Sequence, residues 1–270
     1  MHGLGNDFMV IDGINQKVHI TPERIIAWAR RDTGVGFDQC LVIEPSVKAG
    51  IDFFYRIFNA NGKEVGQCGN GARCLARFIQ HHGLSDCTTL HVETFSTHLT
   101  LYLNMKNDHV SVDLGLPNFP DEHIHNLSLT PSMNIYPVDV GNPHAILLVE
   151  DVQQAPVNTM GKIISEHSFF PEQTNVEFMQ INAPDQIQLR VYERGCGETN
   201  ACGSGAVAAV AVGQKYHGLN DHVTVMLPGG ELVVQRTPEN HMLLTGPATF
   251  VYEGVITSNA YATTSIEQDS

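Results

Sequence analysis

Two cysteines of the 270-residue chain stand in the same local setting, Cys68 in "EVGQCGNGARCLARF" (64–78) and Cys202 in "ETNACGSGAVAAVAV" (198–212). In each, the sulfur sits where a polar stretch gives way to a helix-like run, and glycines follow at once. A thiol at a helix N-terminus feels free amides and the positive end of the helix dipole, both of which favour thiolate over thiol. The amides at Gly69–Asn70 and Gly203–Ser204 would form an anion cradle suited to a carboxylate. A thiolate and a thiol on opposite sides of one bound carboxylate can remove a proton from one face of the adjacent carbon and deliver one to the other. That is stereoinversion by general acid–base catalysis, with the amides stabilising charge as it develops. A Ser-His-type hydrolase needs nucleophile and base on the same side, and a redox dithiol usually keeps its sulfurs close in sequence. The plainer reading, two structural cysteines at helix starts, does not explain why sulfur and cradle are duplicated together.

The elements that carry the sulfurs are themselves repeated. Residues 56–72 align without a gap on 190–206 at an offset of 134, with six of seventeen pairs identical: Arg56/Arg190, Glu64/Glu198, Cys68/Cys202, Gly69/Gly203, Gly71/Gly205 and Ala72/Ala206. Background composition would give about one or two. Upstream, "GNDFMVID" resembles "GNPHAILLVED"; Asn6/Asn142 and Gln39/Asn175 share an offset of 136. The other four cysteines, Cys40, Cys74, Cys87 and Cys196, have no cysteine equivalents and read as small, semi-buried residues.

Each copy reads β-α-β-β-α-β-β-β. In the first, "FMVID", "QCLVIE", "DFFYRIF", "TLHVETFS", "LTLYLNM" and "VSVDLG" are strands by β-branched and aromatic content. "TPERIIAWARR" is a helix with Thr21 as N-cap and Pro22 at N1, and "GNGARCLARFIQHHG" a helix ended by Gly83. The second repeats this with strands "AILLVE", "VEFMQI", "IQLRVYE", "HVTVML", "ELVVQR" and "HMLLTG" and helices near 156–167 and over 203–216. The reading is α+β: two pseudo-symmetric halves, each a mostly antiparallel sheet wrapped around a central helix, with the active site in the cleft between. The halves are 1–118 and 119–247, with the break near "GLPNFPDEHIHN", and 258–270 is expected to be a disordered tail.

Composition excludes several classes. With 15 basic against 29 acidic residues the formal charge is -14, and no Lys/Arg cluster exceeds a pair, so nucleic acid is not an expected partner. No stretch approaches about 18 consecutive apolar residues, so no membrane span is expected. Without a signal-peptide pattern, six cysteines point to reduced thiols in the cytoplasm. No CxxC pair occurs, and no structural zinc knuckle is expected.

The motifs "HGLGNDF", "GFDQ", "FNANGKEVGQCGNGARC", "GNPH", "RVYERGCGETNACGSG" and "LPGGEL" together resemble diaminopimelate epimerase, a pyridoxal-phosphate-independent amino-acid epimerase family, over residues 1–256. The resemblance implies interconversion of LL- and meso-diaminopimelate, on the route to lysine and peptidoglycan precursors, by a homodimer with no cofactor and no metal. It implies that Cys68 and Cys202 are the catalytic pair. It further implies that Asn6, Gln39, Asn59, Asn142, Asn175, Glu193 and Arg194 contact substrate, that Gly69–Asn70 and Gly203–Ser204 are the amide cradles, and that His144 and Glu193 tune the thiols. The last strand, within 248–257, is implied to return to the N-terminal half. Arg194 would suit a distal carboxylate as a fork, and Asn and Gln side chains both donate and accept. Asn61 and Cys196 depart from the family pattern, and Cys196 adds a third thiol near the site. Two other readings compete: a cofactor-independent racemase like proline racemase, which would lack the polar set for a second amino-acid head, and a thiol redox or binding protein in which Cys68 and Cys202 form a switch disulfide.

Overall fold

A computed structural model gives the fold and describes residues 1–66, 68–120, 125–126 and 134–257. The chain runs β1 (His2–Gly3), β2 (Asn6–Asp12), α1 (Pro22–Ala29), β3 (Gln39–Pro45), β4 (Phe53–Asn59), β5 (Glu64–Val65), α2 (Gly69–His81), β6 (Thr89–Glu93), β7 (His98–Leu103), β8 (His109–Asp113) and β9 (His125–Asn126). It continues through β10 (Asn134–Asp139), β11 (Pro143–Leu148), α3 (Val157–Ser165), β12 (Asn175–Ala183), β13 (Gln186–Glu193) and β14 (Gly197–Thr199). Last come α4 (Gly203–Tyr216), β15 (His222–Leu227), β16 (Gly230–Arg236) and β17 (Met242–Pro247). This is the α+β class expected, dominated by sheet.

The pairing is the same twice. β2 lies parallel to β3, β3 antiparallel to β4, β4 parallel to β6, and β6–β7–β8 form a meander. β11, β12, β13, β15, β16 and β17 repeat that order with the same directions. β8 and β17 then pair antiparallel and join the two sets. Ser111 and Thr245 are register partners across that seam, with their hydroxyls 2.6 Å apart. They are also separated by the repeat offset of 134, and a residue that faces its own equivalent marks a two-fold axis.

Local chemistry explains the elements. Thr21 Oγ1 accepts from the Arg24 amide at 3.3 Å and starts α1. Most residues of α2 are buried, including Ala72, Cys74, Leu75, Ala76 and Ile79 at 0% exposure. α4 is buried continuously over Gly205–Gly213, as a helix that is apolar all round must be. One core contains both helices; smaller cores lie under α1, around Ile25, Trp28 and Phe58, and beside α3, around Ile164, Val176 and Phe178. The matched pairs Arg56/Arg190 and Glu64/Glu198 turn out to be one ion pair built twice. Arg56 Nε donates to Glu64 Oε1 at 2.9 Å and Arg190 Nε to Glu198 Oε1 at 2.7 Å. Each pair pins β5 or β14 onto its neighbour four residues before the cysteine.

The segment 248–257, expected as a last strand of the N-terminal half, carries no strand. Thr249 makes a single bridge to His2, Phe250 and Ile256 pack on cores, and Val251–Val255 are exposed. β1 is too short to template more, and both edges of β8 are already taken by β7 and β17. The tail 258–270 lies outside the described residues, as does most of the expected boundary beyond Pro120.

Candidate active site

Cys68 and Cys202 are the N-caps of α2 and α4, and each Sγ accepts from the amide three residues on, Gly71 at 3.3 Å and Gly205 at 3.4 Å. The two helices meet start to start: a Cβ placed on Gly69 would lie 4.0 Å from Gly203 Cα. Two positive helix ends therefore converge, an arrangement that calls for an anion between them. Asn70 ties the helices across the junction, donating from Nδ2 to Ala201 O at 3.2 Å and to Asn6 Oδ1 at 3.4 Å.

Within each half, the parallel and antiparallel pairings bring the remaining expected residues to one end of the strands. Asn6 and Gln39 begin β2 and β3, and Asn59 ends β4; Asn142 precedes β11, Asn175 begins β12 and Glu193 ends β13. Gln39 Nε2 donates to Asn59 Oδ1 at 2.8 Å. Asn142 Oδ1 lies 3.1 Å from His144 Nε2. Asn175 Oδ1 accepts from the Arg194 amide at 3.1 Å, and Ser204 Oγ lies 3.5 Å from Cys202 Sγ. Arg194 itself is exposed, its Nη1 donating to Glu172 O at 3.0 Å.

Two buried charged residues at the site escaped the sequence reading. Glu177, fully buried, places Oε1 2.6 Å from His144 Nδ1. Its signal was a carboxylate in the otherwise apolar run "NVEFM". Arg73, also fully buried, donates from Nη2 to Asn70 Oδ1 at 2.9 Å. It lay within the quoted "GNGAR" but carried no assigned role.

The expectation of low-pKa sulfurs is corrected by their burial. Burial pushes Cys68 up to about 11; the Gly71 amide pulls down, Glu193 pushes up, and Arg73 and the Asn70 amide pull down. Cys202 is held well above its ordinary value by burial, then by Glu193 and Glu177, with Ser204 and the Gly205 amide opposing. The helix-end argument has the right sign but is local; loss of water around the sulfur outweighs it. Burial likewise raises Glu193, against hydrogen bonds that include Thr199 Oγ1 at 2.5 Å.

The thiols make stability sensitive to alkali. Burial pushes Cys40 and Cys74 up to about 12, whereas an exposed thiol ionises near 9.0. Between those values the unfolded chain releases protons that the folded chain keeps, so this contribution is fully present below about pH 9 and falls as pH rises towards 12. The urea midpoint under reducing conditions is expected to be flat to about pH 9 and then decline. A midpoint unchanged to pH 11 would contradict protonated buried sulfurs.

The family model described as diaminopimelate epimerase matches residues 1–120 and 136–251. The chain belongs to the diaminopimelate epimerase family. Diaminopimelate epimerase from Legionella pneumophila (strain Corby) is 53% identical over 271 residues, covering 96% of this chain and 98% of its own. That from Psychrobacter sp. (strain PRwf-1) is 47% identical, covering 94% and 92%. Among solved structures, a probable proline racemase from Agrobacterium radiobacter with bound carbonate aligns with TM-score 0.73 at 14% identity, covering 97% of this chain and 93% of its own. A phenazine biosynthesis protein of the PhzF family from Bacillus anthracis aligns with TM-score 0.71 at 17% identity, covering 95% of each chain. At such identities the likeness speaks for the fold alone. Among the described residues no helix is long and apolar enough to cross a membrane.

Proposed function

We propose that this chain is an isomerase interconverting LL- and meso-2,6-diaminopimelate with Cys68 and Cys202 as a two-sulfur acid–base pair. The observation that carries the reading is the meeting of two cysteine-capped helix starts in a chain about half identical to diaminopimelate epimerases. The α-carboxylate lies between the helix starts, held by amides of Gly69–Asn70 and Gly203–Ser204. One sulfur, as thiolate, takes the α-proton; the electron pair left on carbon spreads into the carboxylate, where the amides stabilise it. The other sulfur, as thiol, gives its proton to the opposite face, so the pair ends with charge and proton exchanged. The next turnover in the same direction needs the proton returned. Asn6, Gln39, Asn59, Asn142 and Asn175 hold the ammonium and carboxylate groups, and Arg194, at the exposed rim, takes the distal carboxylate. His144 and Glu193 set the charge around Cys202.

This reading uses no cofactor and no metal. It goes with a cytoplasmic homodimer, and light scattering of the purified chain tests the dimer. The activity test is NMR of LL-diaminopimelate with reduced enzyme in D2O. Deuterium is expected at one α-carbon as the meso form appears. No exchange, with thiols verified free, would overturn the reading, and proline would be the next substrate tried.

A further inference from the structure

The repeat that duplicates the sulfurs does not duplicate the charges around them. In the paired strands His144 occupies the place of Phe8, since His144 faces Asn175 as Phe8 faces Gln39. Glu177, facing Ile146, occupies the place of Leu41, facing Val10. At the offset of 134, Glu193 takes the place of Asn59, and Val207 that of Arg73. Both carboxylates, and the imidazole bonded to one of them, therefore belong to the half that carries Cys202. The guanidinium belongs to the half that carries Cys68.

Arg73 is an unusual buried cation. Its side chain is 0% exposed, and both of its hydrogen bonds go to neutral oxygens, Asn70 Oδ1 at 2.9 Å and Pro247 O at 3.3 Å. Among the described residues Nη1 has no hydrogen-bond partner and no carboxylate pairs with the guanidinium. Its slot is cleared by glycine: a Cβ would come within 3.2 Å of Nη2 on Gly3, 3.3 Å of Nε on Gly246 and 3.8 Å of Nη1 on Gly203. Those three positions lie on β1, β17 and the start of α4, so the charge sits at the junction of the two sulfur-bearing helices. A buried charge left without an opposite charge is strongly destabilising. The groups that face it include two sulfurs, Cys68 and Cys74. Cys74 is held as a thiol by burial. The neighbours of Cys68 are Arg73, Glu193, the Tyr55 phenol and the amides of Asn70 and Gly71. Those of Cys202 are Glu193, Glu177, Ser204 and the Gly205 amide, with His144 behind Glu177.

We propose that Arg73 is a positioning residue that serves as the buried counter-charge of Cys68, so that Cys68 is the sulfur that ionises first in the unliganded enzyme while Cys202 stays a thiol. This rests on the two-sulfur reading above. Burial raises both sulfurs and Glu193 pushes both up further, but only Cys68 has a cation pulling it down, and only Cys202 has Glu177 pushing it up as well. Once Cys68 has lost its proton, the enzyme is ready for the epimer whose α-hydrogen faces Cys68. The other epimer finds the competent state only after the proton has moved from one sulfur to the other.

The test is a pH titration of the unliganded enzyme with cysteine labelled by 13C at Cβ, which distinguishes thiol from thiolate for each residue. Cys68→Ala and Cys202→Ala assign the two signals. Cys68 is expected to ionise at lower pH than Cys202. Arg73→Met is expected to reduce the acidity of Cys68 about tenfold to a thousandfold, with Cys202 moving far less, and Arg73→Lys to restore most of the difference. Should Arg73→Met fail to fold, Arg73→Gln, which keeps donors towards Asn70 and Pro247 without the charge, gives the same readout. Cys202 ionising first, or Cys68 unmoved by removal of the Arg73 charge, overturns the proposal. No substrate enters the titration, so its outcome is independent of whether diaminopimelate is the compound epimerised.

Discussion

Cys202→Ala is expected to abolish inversion while leaving proton exchange on one face. With the second sulfur gone, the epimer whose α-hydrogen faces Cys68 still meets a base. It can lose that hydrogen and regain deuterium from the same side, with no change of configuration. The opposite epimer meets no base and exchanges nothing. Cys68→Ala is the mirror case, with the exchanging epimer swapped. Loss of one positioned acid or base costs about 10²–10⁴-fold in rate, so inversion should fall at least that far in both variants. The amide cradle survives in each, because an N-cap alanine removes the side-chain acceptor at Gly71 or Gly205 and leaves the helix amides in place. The stability cost of the lost cap is about 0.5–2 kcal/mol. Separate incubation of LL- and meso-diaminopimelate in D2O, followed by chiral separation and NMR, reads exchange and inversion independently. Inversion near the wild-type rate in either variant would rule out the sulfur pair. Equal loss of exchange from both epimers in both variants would make the sulfurs structural.

The repeat was legible in the sequence because it is written in residues with little freedom of role. Cysteine and glycine at fixed spacing, and the matched Arg56/Arg190 and Glu64/Glu198, keep their offset where the apolar residues drift. The main helices and strands followed from ordinary periodicity. β1, β5 and β14 did not, because strands of two or three residues carry no alternation to read. β10 was missed because "NIYPVD" contains a proline, which weakens a strand reading, although four of its six residues are buried. The site was legible as far as its polar residues lie in loops and strand ends, and there the family resemblance supplied the roles. The sequence could not say that Glu177 would meet His144, since the two are 33 residues apart and meet only through the parallel pairing of β11 and β12. Nor could it weigh burial against the helix dipole at the sulfurs, because burial there depends on how the folded chain packs around them.

Glu177→Leu alone is expected to destabilise the fold by about 1–3 kcal/mol or more, the usual cost of leaving a buried hydrogen-bonding group without its partner. Both side chains are fully shielded from water, and His144 Nδ1 would be left without its 2.6 Å partner. The repeat suggests its own rescue. The first half carries Phe8 and Leu41 at the equivalent places, an apolar pair that the same strand geometry already accommodates. His144→Phe combined with Glu177→Leu should therefore recover most of the stability that Glu177→Leu loses, since replacing both members of a buried pair by apolar groups is often neutral or stabilising. Single and double variants form a cycle, and the coupling between neighbours of this kind is about 0.5–3 kcal/mol. Urea midpoints of the four proteins measure it directly. Activity should not return with stability. The double variant makes the surroundings of Cys202 resemble those of Cys68, and so erases much of the difference in charge that distinguishes proton donor from acceptor. A double variant no more stable than Glu177→Leu would mean that the pair is not coupled. A stable double variant with wild-type turnover would mean that the charges beside Cys202 play no part in moving the proton.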